Sequence, residues 1–280
     1  MNKLSDVQYM RYSSHVLLPD MGEDGQLKLM NSTVVIIGIG GLGHAVAHQL
    51  AAAGVGKIIL MDDDIVELSN LPRQLLFQNE DIGFKKVDVA AHKLSLAYAD
   101  CVITPLCQRF MAQDDAILND ADIVFDCTDN FTSRLLINRI AVRAKKALIS
   151  GAVSGANGQL FCLDFTQAVS YGDLVATHDK NSSGSDILPS NNTEHKAGCY
   201  QCLYPEDSAV NQSCAQAGVL TSALLSVASM QALLGLNWLK SDEIQKRDLK
   251  GRLHLFDAKN LQWRHVGMSQ DPNCCICALN

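Results

Sequence analysis

A run of β-branched and aliphatic residues, Thr33–Ile37, passes directly into Gly38-Ile39-Gly40-Gly41-Leu42-Gly43, and an alanine-rich segment, Leu42–Ala53, follows at once. Few arrangements accommodate this order. The first run predicts a strand, the glycines a tight turn, and the alanine-rich stretch a helix ending near Gly54-Val55-Gly56. A second apolar run, Lys57–Met61, completes a β-turn-α-β unit of the length a parallel sheet requires. Gly38, Gly40 and Gly43 fit the pattern G-x-G-x-x-G. The first glycine permits the turn, the second lets a phosphate approach the backbone, and the third lets helix pack on strand. Backbone N–H groups at the head of the helix then point at an anion. Asp62, directly after the second strand, stands where a carboxylate accepts hydrogen bonds from a ribose.

The next charged residues narrow the nucleotide. Asp62-Asp63-Asp64 would repel a pyrophosphate unless Mg²⁺ or basic groups intervene. Asn70, Arg73, Lys85 and Lys86 follow; arginine forks onto phosphate oxygens and lysine supplies a point charge. Asp129, after a fourth candidate strand, is a further metal-ligand candidate in the crevice where such sheets bind ligands. This set suits a metal-bound triphosphate better than a dinucleotide. The rival class is an NAD-dependent oxidoreductase, which has no use for Asp63, Asp64 and Arg73. No Tyr-x-x-x-Lys pair is present for short-chain dehydrogenase chemistry. A solvated surface is the bland alternative for each charge, most open for Lys85.

The remaining chain extends the α/β pattern. Helical segments are expected over 5–30, with a break at Asp20–Gly25, and over Val87–Ala97 and Arg134–Lys145. Strands are expected at Val102–Leu106, Asp122–Phe125 and Ala147–Ser150. After Gly151 the strands Gly158–Asp164, Arg252–Asp257 and Gln262–Val266 lack obvious crossover helices, so antiparallel members should continue the sheet. Between them, Gln167–Gly198 is rich in Ser, Asn, Asp and Gly and reads as a long exposed loop. Val219–Leu236 is apolar but interrupted by Thr221, Ser222, Ser226, Ser229 and Gln231, so it reads as a buried helix rather than a membrane span. The net charge of −7 argues against nucleic acid as a partner, and the polar start lacks an apolar leader core. A cytoplasmic protein is expected.

Ten cysteines are many for that compartment, where clustered thiols suggest metal or sulfur chemistry. Cys199-Tyr200-Gln201-Cys202 and Cys274-Cys275-Ile276-Cys277 each contain C-x-x-C, and together Cys199, Cys202, Cys274 and Cys277 supply the four thiolates of a structural Zn²⁺ site. Cys275 falls outside that spacing, and His178 and His195 are rival ligands. Four unconnected thiols or a redox pair are the alternatives. Cys214 precedes the long apolar helix, where partial exposure would make it reactive, although a buried structural role is as open. Cys101, Cys107, Cys127 and Cys162 lie in or beside strands and are expected in the core.

Taken together, these motifs resemble the ThiF/MoeB/HesA family, bacterial relatives of ubiquitin-activating enzymes. The resemblance runs from Met10-Arg11-Tyr12-Ser13 through the glycine-rich turn, Asp62-Asp63-Asp64, Leu68-Ser69-Asn70-Leu71 with Arg73-Gln74, and Asp126-Cys127-Thr128-Asp129-Asn130. It continues to both cysteine pairs and Ala217-Gly218-Val219. Leu255-Phe256-Asp257-Ala258-Lys259 with Gln262-Trp263-Arg264 looks closer to the thiamine branch than to the molybdopterin branch. The resemblance implies an α/β fold: a Rossmann-like, mostly parallel sheet extended by antiparallel strands, with N-terminal helices and a four-cysteine zinc site. One adenylyltransferase domain over 1–280 would comprise a helical arm (1–30), a nucleotide-binding part (31–165), the long loop (167–198) and a zinc-containing part (199–280).

The same resemblance implies a homodimer that uses ATP and Mg²⁺ to adenylate the C-terminal Gly-Gly carboxylate of a ubiquitin-like sulfur carrier. A sulfurtransferase would be a further partner, and neither nucleic acid nor membrane is implied. It assigns the ribose to Asp62, the triphosphate to Asn70, Arg73 and Lys86, and Mg²⁺ to Asp129 with Asp64 assisting. Gly38, Gly40, Gly41 and Gly43 form the nucleotide turn. Cys214 corresponds to a cysteine that forms a covalent sulfur link with the carrier in the thiamine branch. Three departures bear on this. Ser14, followed by His15, replaces an arginine that crosses the dimer to the partner's ATP; Pro72 replaces a glutamine; and the loop 167–198 is long. They keep open an adaptor without activity, a molybdopterin-type carrier, and a relative that adenylates a peptide.

Overall fold

The computed structural model of the chain describes residues 3–166, 197–205 and 218–278. The chain opens on three short helices, α1 (Asp6–Arg11), α2 (Ser13–Val16) and α3 (Gly22–Met30). The helical reading of 5–30 holds, but the break falls before Gly22 rather than across Asp20–Gly25. Gly22 has φ +59°, which L side chains rarely adopt, and it separates α3 from the preceding turn. Then follow β1 (Thr33–Ile37), α4 (Gly43–Ala52), β2 (Lys57–Met61), α5 (Lys86–Ala97), β3 (Val102–Leu106), α6 (Asp115–Leu118), β4 (Ile123–Asp126) and α7 (Phe131–Arg143). The chain continues through β5 (Ala147–Ser154), β6 (Asn157–Leu163), α8 (Tyr200–Leu203), α9 (Thr221–Lys240), α10 (Glu243–Leu249), β7 (Arg252–Asp257) and β8 (Gln262–Gly267).

Among the described residues, eight strands form one sheet in the order β3-β2-β1-β4-β5-β6-β7-β8. From β3 to β5 the pairings are parallel; β5/β6, β6/β7 and β7/β8 are antiparallel. The mixed sheet expected from the sequence is therefore present. Alternation of side chains along the central strands divides the core into two layers. Val34, Ile36, Ile58, Leu60 and Phe125 face α4, α5 and α9, whereas Val35, Ile37, Ile59 and Val124 pack with Ile137, Ile140 and Ala141 of α7. Burial on both faces explains why these strands read as unbroken apolar runs.

Among the described residues, α9 is the one helix long and apolar enough to cross a membrane by length and composition. Its Val227, Ala228, Gln231 and Ala232 are fully buried. Gln231 Nε2 donates to the carbonyls of Asp126 and Ile149 at 3.1 and 3.3 Å, which pins the helix across the end of β4 and the body of β5. The buried-helix reading stands. One cysteine departs from expectation: Cys101, Cys127 and Cys162 are buried, but Cys107 is exposed. It follows β3, an edge strand whose Val102 is 62% exposed, and edge positions bury one face at most.

Candidate active site

Strand order reverses between β1 and β4: β1 continues to β2 on one side, and the chain returns to place β4 on the other. Ligands of open α/β sheets bind beyond the carboxyl ends of strands at such a switch point. A cavity of about 430 Å³ lies there. Its walls include Gly38, Gly40, Gly41, Asp62, Asp64, Asn70, Arg73, Lys86 and Asp129, drawn from the β1–α4, β2–α5 and β4–α7 connections and the first residue of α5.

Gly43, the last glycine of the motif, does not line the cavity. A Cβ there would sit 1.8 Å from the Gly38 carbonyl oxygen, so its role is to let the helix head press against the turn. Gly38 itself has φ +89°, and a Cβ would meet the Cys127 carbonyl at 2.9 Å. These two positions keep the turn tight enough for the backbone to face a ligand.

Asp62 is half-buried. Its Oδ2 accepts from the Ile39 N–H at 2.6 Å and its Oδ1 from the Asp64 N–H at 2.8 Å. Burial raises its carboxyl above the ordinary aspartate value, against the pull of those two donors. Each oxygen retains a lone pair for a ribose hydroxyl. Asp64 holds Lys86 twice: its carbonyl accepts the Lys86 N–H at 3.0 Å, and its Oδ2 lies 2.9 Å from Nζ. Lys86 is buried while Asp64 remains 63% exposed at its side chain, so the ammonium is poised at the cavity wall with a replaceable partner. Arg73 is tethered by Nη1 to the Ser69 carbonyl at 2.8 Å. Buried Asn70 accepts the Glu67 N–H at 3.3 Å and shapes the 68–70 turn. Lys85 does not reach the cavity wall; its Nζ donates to the Asp63 carbonyl at 3.2 Å.

Asp129 is exposed on the loop between β4 and α7, and a buried network holds that loop. Asp126 accepts from Thr128 N at 3.0 Å, Thr128 Oγ1 at 2.7 Å and Ser150 Oγ at 2.8 Å. Arg134 pairs with Asp126 at 3.5 Å and donates to the Gly151 carbonyl at 2.9 Å and to the Thr128 carbonyl. Sequence reasoning missed Arg134, because on α7 it reads as another surface cation. It also missed Arg109, which lines the cavity and lies 3.3 Å from Asp63 Oδ2. Of the acidic run, then, Asp63 and Asp64 are each paired with a cation. Arg11, the arginine nearest Ser14, is paired with Asp100 of its own chain at 3.4 Å. Cys214, His178 and His195 lie outside the described residues.

The four expected cysteines converge. Cys199 Sγ lies 4.0 Å from Cys202 Sγ and 3.7 Å from Cys274 Sγ, and Cys202 Sγ lies 3.4 Å from Cys277 Sγ. Thiolates about 2.3 Å from a tetrahedral Zn²⁺ would be about 3.8 Å apart, so the donor set fits that ion. The Asp271 N–H points at Cys202 Sγ at 3.4 Å, and Gln270 Nε2 at Cys277 Sγ at 3.6 Å, as donors do around thiolates. Hydrogen bonding from Cys199 holds the Cys277 thiol below the ordinary cysteine value. Cys275 stands outside the set, as expected, and accepts from Gln201 Nε2 at 3.4 Å.

Comparison with known proteins now adds to this geometry. The profile of the ThiF family matches residues 12–276. The chain belongs to the ThiF family. This ThiF-family chain is 36% identical over 276 residues to the sulfur carrier protein ThiS adenylyltransferase of Escherichia coli strain K12, covering 98% of the chain and 97% of that relative. It is 31% identical over 278 residues to the molybdopterin-synthase adenylyltransferase of the same strain, covering 99% of each. In fold it matches the crystal structure of E. coli MccB with MccA-N7isoASN, at a TM-score of 0.72 and 21% identity, over 98% of this chain and 75% of that one.

Proposed function

We propose that this ThiF-family enzyme is an adenylyltransferase that activates the C-terminal Gly-Gly carboxylate of a small ubiquitin-like sulfur carrier, with a ThiS-type carrier of thiamine thiazole formation as its substrate. The observation that carries this reading is the cavity in which the glycine-rich turn, Asp62, Arg73, Lys86 and Asp129 meet. The names of both E. coli relatives support the reaction type. The second reading is a molybdopterin-type carrier, favoured by the relative of that name.

In the reaction, a carrier carboxylate oxygen attacks the α-phosphorus of ATP. The bond from that phosphorus to the bridging oxygen breaks, pyrophosphate leaves, and an acyl-adenylate forms. No proton changes hands, because the nucleophile is ionised at neutral pH. Catalysis is then positioning and charge stabilisation. The turn's N–H groups face the phosphates, Asp62 accepts from the ribose, and Arg73 and Lys86 take up the charge on the departing pyrophosphate. Lys86 reaches it by exchanging Asp64 for phosphate oxygen. Asn70 shapes the segment that presents Arg73. Asp129, assisted by Asp64, would hold Mg²⁺, which would supply further charge neutralisation.

Zn²⁺ on Cys199, Cys202, Cys274 and Cys277 anchors the C-terminal segment. We further propose one domain over 1–280, a cytoplasmic homodimer, a sulfurtransferase partner, and a sulfur link from the carrier to Cys214. Exchange of labelled pyrophosphate into ATP, measured with purified thiazole-pathway and molybdopterin-pathway carriers separately, tests the reading. Exchange with the first alone supports it, and exchange with the second alone moves the enzyme to the other branch. No exchange with either, despite nucleotide binding, refutes activation of these two carriers.

A further inference from the structure

His44 stands on the first turn of α4, 2% exposed, beside the glycine-rich turn. Its Nδ1 lies 2.9 Å from the Gly40 carbonyl oxygen, and its Nε2 lies 3.0 Å from the Leu75 backbone nitrogen. A carbonyl only accepts and a backbone N–H only donates, so the partners dictate the tautomer: Nδ1 carries the proton and Nε2 is bare. The ring thereby joins two backbone segments of the cavity wall. One is the turn containing Gly40. The other is the segment from Asn70 to Leu75, in which the Arg73 and Gln74 N–H groups donate to the Asn70 carbonyl at 3.0 Å each. Leu75 is the next donor, and His44 accepts it.

Resting on the nucleotide reading above, we infer that His44 is a positioning residue whose neutral imidazole clamps the arginine-bearing segment to the glycine-rich turn, and that protonation of His44 opens the clamp. A proton on Nε2 would set one N–H against another across 3.0 Å. The segment must then move or the Leu75 N–H lose its partner, and Arg73 moves with it. The titratable group acting on the ring is His48 on its own helix; on the elements joined to it, Arg73 lies in the facing segment, Lys93 on α5 and Tyr98 at the end of α5. Lys93 holds the Leu76 carbonyl at 3.0 Å and is paired with Asp81; Tyr98 is hydrogen-bonded to His48 at 3.0 Å. Burial, with His48 adding to it, keeps His44 below the ordinary imidazole value. A histidine so lowered is neutral at physiological pH, and the clamp is lost as pH falls towards its own value.

The test is direct binding of Mg²⁺ with α,β-methylene-ATP to the full chain by calorimetry, between about pH 7.5 and about pH 5.5. Wild-type affinity should fall steadily towards the acid end of that range, by less than about tenfold at pH 5.5, because a histidine held below the ordinary value is only partly protonated there. His44→Gln offers an acceptor near the Nε2 position without titrating, so it should bind with a flattened pH profile. His44→Asn keeps a donor for Gly40 but leaves Leu75 unmatched, and should bind about tenfold more weakly at every pH. Both variants binding like wild type, with the same pH dependence, would overturn the inference. Amide exchange supplies a measurement that needs no variant: protection of the Leu75 N–H, corrected for intrinsic rate, should drop on acidification, and constant protection refutes the clamp. Wild type failing to bind nucleotide at any pH would instead remove the adenylation reading, and this inference with it.

Discussion

The nucleotide cleft and the cysteine cluster are both assembled from short motifs, yet they hold together differently. The cleft borrows its rigidity from the parallel sheet. Its ligand-facing groups sit on loops whose backbones are fixed by Asp62, Asp126 and His44, and Asp63, Arg73 and Lys86 each have a local partner. The cluster joins Cys199 and Cys202 to Cys274 and Cys277, segments far apart in sequence, in a region where α8 spans only four residues, Tyr200–Leu203. A site mounted on a packed sheet should lose function gradually as groups are removed. A site that is itself the fastening should fail at once.

The largest effect is therefore expected at the cysteines. Cys202→Ser should abolish stoichiometric zinc by elemental analysis and lower the melting temperature by at least about 10 °C, since structural zinc contributes folding free energy directly. Unchanged melting would make the cluster a passive set of thiols and erase the contrast. Next comes Arg134→Ala, which leaves Asp126 buried without its cation. Denaturant unfolding should show a loss of about 3–5 kcal/mol. A loss below about 1 kcal/mol would mean that Ser150 and Thr128 hold the Asp129 loop unaided.

Within the cleft itself the effects should be kinetic. Lys86→Ala should reduce kcat/KM for pyrophosphate exchange about a hundredfold, the usual scale for a lost donor to developing charge, with unfolding midpoint little changed. A large fall in stability instead would mean that the Lys86–Asp64 pair serves the fold. The smallest effect is expected at Arg109→Ala. Its pair with Asp63 is exposed on both sides, so nucleotide affinity should change less than about fivefold. A larger change would place the Arg109 guanidinium directly on the ligand.

Much of this architecture was legible in local pattern. β1 and β2 begin and end where their runs do, because Ser32, Gly38, Gly56 and Asp62 bound them, and β3 and β7 also keep the bounds read from the sequence. β5 was read as ending at Ser150 but runs to Ser154: Gly151-Ala152-Val153-Ser154 has weak strand propensity, and pairing with β6 recruits it. α10 was missed although its capping box, Asp242 with Gln245, stands in the sequence.

Functional residues divide along the same line. Glycines, the acidic strand-end residue and C-x-x-C pairs announce themselves, because their chemistry demands particular residue types at fixed short spacing. Local pattern in the chain marks out the glycine-rich turn, the strand-end Asp62 and the four cysteines that converge. Folding in three dimensions was needed to bring Arg134 beneath the Asp129 loop, to pair Asp63 and Asp64 with Arg109 and Lys86, and to bridge Gly40 to Leu75 through His44. Those roles depend on which distant backbone carbonyl or carboxylate a side chain meets, and that is set by strand order and helix packing rather than by neighbours along the chain.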